Sequence, residues 1–299
     1  MNFVDRTAEL SSLEDSYSAK SSNLIVVYGR RRIGKTELIK RFGGNKEDNF
    51  VYYLCDGSPL DEQVRRIAML IGRTLNDNEL IEFGAAGIEA IFYKIAKAKT
   101  KAKLIMVLDE FQNLAKLDRA IPSIFQRIWD LYVKDSGNLM LVLSGSSISM
   151  MRSEVLNYSA PLYGRSTGIF LLKPLSLEYS MRLAPEHTGI LNKLYIYFIF
   201  GGIPAYYSAL SSGMKDYGHA GIREVIGEIL KEGSIFTSEP NLLLSEEVRN
   251  DTIYMQILEF IAKGINKPGE IASKAGIAHG NLSKYTGLLE YLSMIEKEM

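Results

Sequence analysis

Five short apolar runs occur along the first 172 residues, and segments with helical spacing of apolar positions separate them. The runs lie at residues 24–28, 50–54, 104–108, 139–144 and 168–172. Apolar residues three and four positions apart mark amphipathic helices at residues 60–75, 88–99 and 121–133. Because parallel strands are joined by helical crossovers, this alternation predicts an α/β fold whose parallel sheet carries helices on both faces.

The pattern changes after residue 172. Helical spacing with few strand-like runs continues to about Pro240, which predicts a helical lid over residues 173–245. The last part, residues 246–299, predicts helices at 251–263, 268–275 and 279–293, with Pro268 opening the middle helix and Gly276 ending it. A short second helix, a turn and a longer third helix form a helix-turn-helix outline, so we expect a winged-helix-like domain after the sheet domain (1–172) and the lid.

The segment that follows the first apolar run has the sequence of a phosphate-binding loop. Residues 29–36 spell Gly-Arg-Arg-Arg-Ile-Gly-Lys-Thr, the Walker A pattern G-x-x-x-x-G-K-[ST]. Gly29 and Gly34 let the backbone curl so that successive N–H groups point at phosphate oxygens. Lys35 is predicted to neutralise the β- and γ-phosphates, and the Thr36 hydroxyl to bind Mg²⁺. The strand before the loop and the helix after it argue against a chance match in a glycine-rich turn.

A second candidate site lies at the end of the third apolar run, where two carboxylates, Asp109 and Glu110, follow residues 104–108. A buried parallel strand with this ending is typical of a Walker B motif. Asp109 is then predicted to hold Mg²⁺, and Glu110 to orient the water that attacks the γ-phosphate. The alternative is an acidic pair that only caps the following helix. The phosphate-binding loop favours the catalytic interpretation.

Charge limits the partners of the chain. It contains 35 Lys and Arg against 35 Asp and Glu, so no global charge attracts it to nucleic acid. The densest basic stretch, residues 94–103, lies at a predicted helix end, and we interpret it as a solvated face. The arginines at positions 30–32 admit two interpretations. They crowd positive charge beside the nucleotide, or their side chains turn outward to pair with a neighbouring domain.

Composition also bears on the compartment. Cys55 is the single cysteine of the sequence, which excludes an internal disulfide and a thiolate zinc cluster; we interpret it as a small buried residue near a strand end. No apolar run reaches the length of a membrane span, and the N-terminus lacks the layout of a signal peptide. We therefore expect a cytoplasmic protein without a membrane partner.

Several short motifs occur in a fixed order along the chain. They are Phe3-x-x-Arg6-x-x-Glu9-Leu10, the loop at 29–36, Leu108-Asp109-Glu110-Phe111, Gly145-Ser146-Ser147, Tyr163-Gly164-Arg165, Leu172-Lys173-Pro174-Leu175-Ser176 and Gly201-Gly202-Ile203-Pro204. As an ordered set they resemble the archaeal ATPase family, which belongs to the AAA+ and STAND-type P-loop proteins. The resemblance implies a RecA-like P-loop NTPase core with ATP or ADP and Mg²⁺ as cofactors, a helical lid and a C-terminal winged helix. Relatives commonly continue into a further C-terminal domain.

The same resemblance implies roles for residues outside the two Walker motifs. Asp5 and Arg6 would lie against the adenine or ribose. Ser144 or Ser146, at the end of the fourth strand, would be the sensor that contacts the γ-phosphate or the attacking water. Ser-Gly-Ser-Ser is equally ordinary turn chemistry, so a simple turn is the alternative.

Two further elements carry implied roles. Arg165 would stabilise the transition state, either at its own site or at that of a neighbouring subunit; the alternative is an ion pair with a carboxylate of the lid. In the Gly202-Ile203-Pro204 element, Pro204 would pack on the adenine at the start of a lid helix, while Gly201 and Gly202 permit close backbone approach. A helix break is the simpler interpretation, and it is compatible with the first.

The predicted third helix of the last domain has two possible uses. Plausible contacts to DNA bases or phosphates are His279, Asn281, Ser283, Lys284, Tyr285 and Thr286, but Glu290, Glu296 and Glu298 follow and no clear basic excess results. In STAND-type ATPases the winged helix often packs on the nucleotide domain as a switch element. We favour the switch role over DNA binding.

These observations predict a Mg²⁺-dependent AAA+/STAND-type ATPase that acts as a conformational switch. The alternatives are an ATP-regulated DNA-binding protein and a slow nucleotide-binding scaffold, with a protein partner or a homo-oligomer possible in each case. The candidate catalytic residues are Lys35, Glu110, Ser144, Ser146 and Arg165; the candidate cofactor-binding residues are Asp5, Arg6, Gly29, Arg30, Arg31, Arg32, Ile33, Gly34, Lys35, Thr36, Glu37, Gly202 and Pro204; the candidate metal ligands are Thr36 and Asp109.

Overall fold

The computed structural model describes residues 3–185, 188–213, 222–231, 233–248 and 250–297. These residues form two compact units. The first, the sheet unit, comprises Asp5–Gly29 and Gly34–Leu172. The second, the helical unit, contains Arg30–Ile33 and the described residues from Lys173 onward. The chain of the predicted phosphate-binding loop therefore leaves the sheet unit after Gly29 and returns to it at Gly34.

A parallel sheet of five strands forms the centre of the sheet unit, with the order β2-β3-β4-β1-β5. The strands are β1 (Asn23–Tyr28), β2 (Phe50–Leu54), β3 (Leu104–Asp109), β4 (Leu139–Gly145) and β5 (Gly168–Leu171). Tyr28 at the end of β1 pairs with Gly145 at the end of β4, and Leu54 pairs with Asp109 at the end of β3. The carboxyl ends of β1, β4 and β3 are thus neighbours, which brings the loop after β1 and the acidic pair after β3 to the same edge.

Every strand predicted from the sequence is confirmed to within one residue at either end. The central strands are buried along their length, and Leu24 and Val26 of β1 share a core cluster with Ile67 and Ile91. Helices of this unit are α1 (Thr7–Ser18), α2 (Lys35–Gly43), α3 (Leu60–Leu75), α4 (Asn78–Glu82), α5 (Ile88–Lys97), α6 (Gln112–Leu117), α7 (Ile121–Ile128) and α8 (Ile148–Met151). Because a central strand of this sheet is buried on both faces, nearly all of its residues must be apolar.

The helices of the sheet unit differ from the predicted ones at several places, and the short helices α4, α6 and α8 were not predicted. The helix predicted over 121–133 ends as an α-helix at Ile128 and continues as a π-helical segment, Trp129–Val133. Helix α1 was not predicted, because its sequence is mostly polar and Leu13 is its one fully buried residue. A helix with so narrow an apolar stripe leaves little periodic signal.

The helical unit contains α9 (Leu177–Leu183), α10 (Ile190–Phe200), α11 (Pro204–Gly213), α12 (Ile222–Ile229), α13 (Ile235–Glu247), α14 (Thr252–Ala262), α15 (Pro268–Lys274) and α16 (His279–Tyr291). The last three lie where the helix-turn-helix pattern predicts them. Within the described residues no strand follows β5, so the wing of a winged helix is not seen there. The predicted boundary after residue 245 falls inside α13, which also contains Pro240. The division into lid and winged helix stays a prediction.

The basic stretch at 94–103 is not uniformly solvated. Lys94 forms ion pairs with Asp77 (2.8 Å) and Glu79 (2.7 Å). The ammonium of Lys103 donates to the side-chain oxygen of Asn23. It also donates to the carbonyl oxygen of Ser16 in the last turn of α1, and to those of Ala19 and Ser21 after the end of this helix. Lys103 thus closes the connection from α1 to β1, which is a structural role. None of the helices in the described ranges is long and apolar enough to cross a membrane.

Candidate active site

The loop after β1 folds back on itself through Lys35. Gly29 (φ +152°) and Gly34 (φ +97°) adopt backbone conformations that favour glycine, and α2 begins directly after Gly34. The side chain of Lys35 is buried, and its Nζ donates to the carbonyl oxygen of Gly29 at 2.9 Å. The loop therefore brings a cation and the first N–H groups of a helix together, which is the chemistry of an anion site.

The arginines at positions 30–32 lie within the helical unit and contact its residues. Arg30 is buried; its Nη2 donates to the Tyr206 hydroxyl (2.9 Å) and its Nη1 to the carbonyl oxygen of Leu292 (3.2 Å). Arg32 pairs with Glu239, which also accepts from the Tyr206 hydroxyl at 3.1 Å. Burial lowers the pKa of Arg30 and raises the pKa of Tyr206 to about 12.

Arg31 completes this arrangement with an ion pair to Glu246 at 2.7 Å, where both side chains are exposed. Of the two interpretations of the arginines, their side chains follow the second and pair outside the loop. Their predicted role in nucleotide binding is then left to their main-chain N–H groups, and it stays a prediction. Ile33 is buried and Glu37 is exposed in the first turn of α2.

Asp109 is the buried carboxylate of the site, 1% exposed at the end of β3. Its Oδ2 accepts from the Thr36 hydroxyl at 2.8 Å and from the Tyr52 hydroxyl at 2.6 Å. Its Oδ1 accepts from the N–H of Glu110 at 3.0 Å. Burial, and then the hydrogen bond to Asp109, raise the pKa of Tyr52, so the phenol stays a donor to this carboxylate. The structure thus brings the two candidate metal ligands together.

Glu110 occupies a left-handed backbone conformation (φ +55°), which is uncommon for a residue other than glycine. Its Oε2 accepts from the N–H of Ser146 (3.1 Å), from the hydroxyl of Ser146 (2.6 Å) and from the side-chain amide of Gln112. Ser146 lies directly after β4, and Gln112 lies in the first turn of α6. Such strain at a held carboxylate is a feature of functional sites.

The two candidate sensor residues have different surroundings. The hydroxyl of Ser146 is engaged with Glu110. Ser144 is fully buried, and its Oγ has no hydrogen-bond partner in the described structure. A buried hydroxyl without a partner is costly, by about 1–3 kcal/mol. Of the two, Ser144 therefore has the free donor that a sensor needs, and the sensor role stays a prediction for both.

Arg165 forms a bidentate ion pair with Asp130, through Nε to Oδ1 (2.9 Å) and Nη2 to Oδ2 (2.7 Å). Its Nη1 donates to the carbonyl oxygens of Pro161 and Tyr163. The partner carboxylate lies in the π-helical segment of the sheet unit and not in the lid, where the sequence placed the alternative partner. A transition-state role would require Arg165 to leave Asp130, and that role stays a prediction.

The N-terminal candidates lie directly before α1. Asp5 (φ +62°) and Arg6 (φ +69°) form the turn that leads into the helix. Arg6 is buried, and its guanidinium pairs with Glu9 at 3.1 Å. This ion pair explains locally why the motif places an acidic residue three positions after the arginine. Contact with adenine or ribose stays a prediction.

Gly202 makes a close approach to the main chain of Leu175, whose N–H donates to its carbonyl oxygen at 2.8 Å. A Cβ at position 202 would overlap the Leu175 carbonyl. Packing inside the helical unit therefore accounts for this glycine, and Pro204 is the first residue of α11, where proline is favoured. Gly202 also lines a cleft of about 540 Å³ in this unit, beside Tyr206 and Phe236. Adenine contact stays a prediction.

Two residues of the site, Tyr52 and Gln112, were not predicted from the sequence. Tyr52 lies inside an apolar strand, where a tyrosine usually contributes to packing and gives no separate signal. Gln112 gave no clear signal either, because it lies beside the polar Asn113 in the sequence, and only the structure shows that it is 4% exposed. The neighbouring Cys55 is buried as expected, and burial raises the pKa of its thiol.

The donor set around Asp109 fits a magnesium ion. A threonine hydroxyl and a carboxylate are hard oxygen ligands, and Mg²⁺ in nucleotide sites takes one or two such protein ligands beside phosphate oxygens. The hydrogen bond of 2.8 Å between Thr36 Oγ1 and Asp109 Oδ2 places both oxygens next to each other. Within the residues that the structure describes, no group of three or more His, Cys, Asp and Glu residues offers an alternative metal site.

Sequence comparisons give a family for the chain. A family of ATPase domains found predominantly in Archaea matches residues 3–210. An uncharacterized protein of Methanocaldococcus jannaschii is 35% identical over 297 residues, which are 99% of this chain and 62% of that protein. The chain therefore spans less than two thirds of the length of this relative.

Structural comparisons agree in fold. The Walker-type ATPase of Pyrococcus abyssi has a TM-score of 0.70 at 21% identity, with 99% of this chain and 91% of that chain covered. Cdc6p of Pyrobaculum aerophilum has a TM-score of 0.51 at 16% identity, with 100% and 88% covered. With the family match over residues 3–210 and the parallel sheet described above, the chain belongs to the family of ATPase domains found predominantly in Archaea.

Proposed function

We propose that this chain is a Mg²⁺-dependent ATPase whose nucleotide state is transmitted to its helical unit, so that it acts as a conformational switch. The observation that supports the switch is the set of contacts made by the arginines of the loop. Residues 30–32 lie between Gly29 and Gly34 of the phosphate-binding loop, belong to the helical unit, and contact other residues of that unit with each of their side chains.

The chemistry of hydrolysis is assigned to residues of the sheet unit. Lys35 binds the β- and γ-phosphates, and Glu110 orients a water in line with the bond from the γ-phosphorus to its bridging oxygen. Thr36 and Asp109 would hold Mg²⁺, which when bound neutralises charge on the phosphate oxygens. ADP and inorganic phosphate leave as products. Tyr52 keeps Asp109 in place through the hydrogen bond of 2.6 Å.

The transmission is assigned to a closed network inside the helical unit. Arg30 donates to Tyr206, Tyr206 donates to Glu239, and Glu239 pairs with Arg32. Glu239 is 6% exposed, so water screens these interactions weakly. Arg30 also donates to the carbonyl oxygen of Leu292, directly after the last residue of α16, where a cation suits the helix dipole.

A nucleotide that changes the backbone conformation of the loop must also move the Cα atoms of Arg30, Arg31 and Arg32, and with them their side chains. Hydrogen bonds to charged groups contribute about 1.5–3 kcal/mol each. Coupling between sites in proteins is about 1–3 kcal/mol, which corresponds to about 5- to 150-fold in affinity. The network is therefore strong enough to couple nucleotide binding to the conformation of the helical unit.

We expect Glu239→Gln to weaken this coupling. The substitution keeps the shape of the side chain but removes the charge that holds Arg32, so ADP should dissociate about 5- to 10-fold faster, within the usual range of coupling energies. Stopped-flow release of a fluorescent ADP analogue measures this rate. Glu246→Gln is the matched control, since its pair with Arg31 is exposed and contributes about 0–1 kcal/mol. Equal release rates for wild type and Glu239→Gln would refute the switch.

A second candidate function, DNA binding, is favoured by the exposure of the first half of α16. His279, Asn281, Ser283 and Lys284 are exposed there, as they would be on a recognition helix. Lys267 and Lys274 of the preceding segment are also exposed, but Glu270 and Glu290 offset them.

Because few phosphates can be neutralised, we expect duplex DNA to bind weakly and to dissociate at physiological salt. Fluorescence anisotropy with a labelled duplex at two salt concentrations measures this. Tight binding at physiological salt that Lys284→Ala weakens by about 10-fold or more, in the range of one lost specific contact, would promote the DNA-associated function over the switch.

A further inference from the structure

A buried amide holds the candidate catalytic carboxylate. Gln112 lies in the first turn of α6 and is 4% exposed. Its Nε2 donates to Glu110 Oε2, and also to the hydroxyl of Ser146 at 3.2 Å. Ser146 donates in turn to the same Glu110 oxygen. The three side chains form a closed triangle of hydrogen bonds at the ends of β3 and β4.

The hydrogen bonds are distributed unevenly over the carboxylate. All those that the Glu110 side chain makes within the described residues fall on Oε2. Oε1 is thereby left for a water molecule. Because hydrogen bonds hold one oxygen of the carboxylate, the direction of the other oxygen is fixed, and so is the position at which it can bind that water.

Packing alone does not account for an amide at this position. The Oε1 of Gln112 is buried and has no partner in the described structure. An unsatisfied buried acceptor costs about 1–3 kcal/mol, so an apolar side chain would be the better structural choice. The donor function of Nε2 toward Glu110 explains why a glutamine is tolerated there.

The neighbouring glycine makes room for the amide. A Cβ at position 145 would lie 2.7 Å from Gln112 Oε1 and 2.5 Å from Met151 Sδ. Real Cβ contacts are essentially never so short, so a larger residue at 145 must displace both of these side chains. The space that Gln112 occupies thus depends on Gly145.

We propose that Gln112 is a positioning residue for ATP hydrolysis, which acts by holding the Glu110 carboxylate toward the attacking water. The inference rests on the role proposed for Glu110. A misplacement of about 1 Å can cost about 100-fold in rate, so the loss of one clamp is expected to slow the chemical step without weakening ATP binding.

Gln112→Leu tests this, because leucine is close in size and cannot donate a hydrogen bond. Single-turnover hydrolysis at saturating ATP should fall by about 10- to 100-fold. The Kd for ATP, measured by calorimetry, should stay within about twofold, because Gln112 hydrogen-bonds to Glu110 and Ser146 and to none of the predicted cofactor-binding residues. A variant that binds ATP equally well but turns it over slowly has lost an interaction of the chemical step. Gln126→Leu on α7 is the control for the same chemical change away from the site.

A double-mutant cycle separates positioning from a general structural effect. If Gln112 acts through Glu110, Gln112→Leu should change the rate of the Glu110→Gln protein by less than about twofold, since residues that act as a unit are not additive. A full additional loss in that background would overturn the proposal. So would a normal rate for Gln112→Leu beside an impaired Glu110→Gln. An unimpaired Glu110→Gln protein would instead refute the parent role of Glu110.

Gly145→Ala provides the second variant in case Gln112→Leu does not fold. The added methyl group displaces the end of the Gln112 side chain while its donor remains present. We expect the same pattern, a slower single turnover with an unchanged Kd for ATP. An unchanged rate in folded Gly145→Ala protein, with Gln112 shown by a crystal structure of the variant to have moved from Glu110, would overturn the proposal.

Discussion

Lys35→Met protein is expected to lose nucleotide binding. The ammonium of Lys35 is buried and reaches the carbonyl oxygen of Gly29, so it lies at the mouth of the loop whose N–H groups would face phosphate. Methionine keeps most of the volume but removes the charge. Charge-assisted contacts of about 1.5–3 kcal/mol each are lost, and ATP affinity should fall by about 100-fold or more.

Calorimetric titration with ATP and with ADP measures this loss, and circular dichroism verifies that the variant is folded. The control is Lys116→Ala, which removes an exposed lysine from α6. ATP affinity that is unchanged in folded Lys35→Met protein would contradict the assignment of the phosphate-binding loop.

Glu110→Gln protein is expected to bind ATP normally and to hydrolyse it about 100- to 10,000-fold more slowly, the range for removal of a general base. The amide keeps the size of the side chain, and Asp109 remains to hold the metal. The hydrogen bonds from Ser146 can still be accepted by the amide oxygen. The effect therefore isolates the missing carboxylate.

Single-turnover hydrolysis with radiolabelled ATP gives the rate, and retention of ATP on the purified complex gives the trapped state. Glu47→Gln changes an exposed glutamate in the short 3₁₀ turn before β2 and serves as the control. If the Glu110→Gln rate lies near that of the wild type, the water is oriented by another group, and Asp109 becomes the first candidate.

The strands and the chemical motifs of the sheet unit were predictable because their signals are local. A strand buried on both faces must be a continuous apolar run, which fixes β1, β3 and β4 in the sequence itself. The glycines at 29 and 34 mark a loop with unusual backbone angles, and carboxylates directly after a buried strand mark its functional edge. The order in which the strands pair was not predicted, because it depends on contacts between segments that lie far apart in the sequence.

The partners of the charged and polar side chains were decided only by the tertiary structure. Arg30 and Leu292 are 262 positions apart in sequence, and Arg32 and Glu239 are 207 apart. The local sequence around residues 30–32 does not distinguish arginines that face phosphate from arginines that face carboxylates. Both would appear as the same run of three consecutive basic residues.

The same reason explains why the partners of Arg165 and Glu110 were not predicted. Asp130, which holds Arg165, and Gln112, which holds Glu110, are ordinary polar residues of helical segments until the fold brings them to their partners. Local sequence determined which backbone elements form and where their reactive ends lie. The hydrogen bonds that orient those ends depend on distance and direction between separate elements, and only the packed structure defines these.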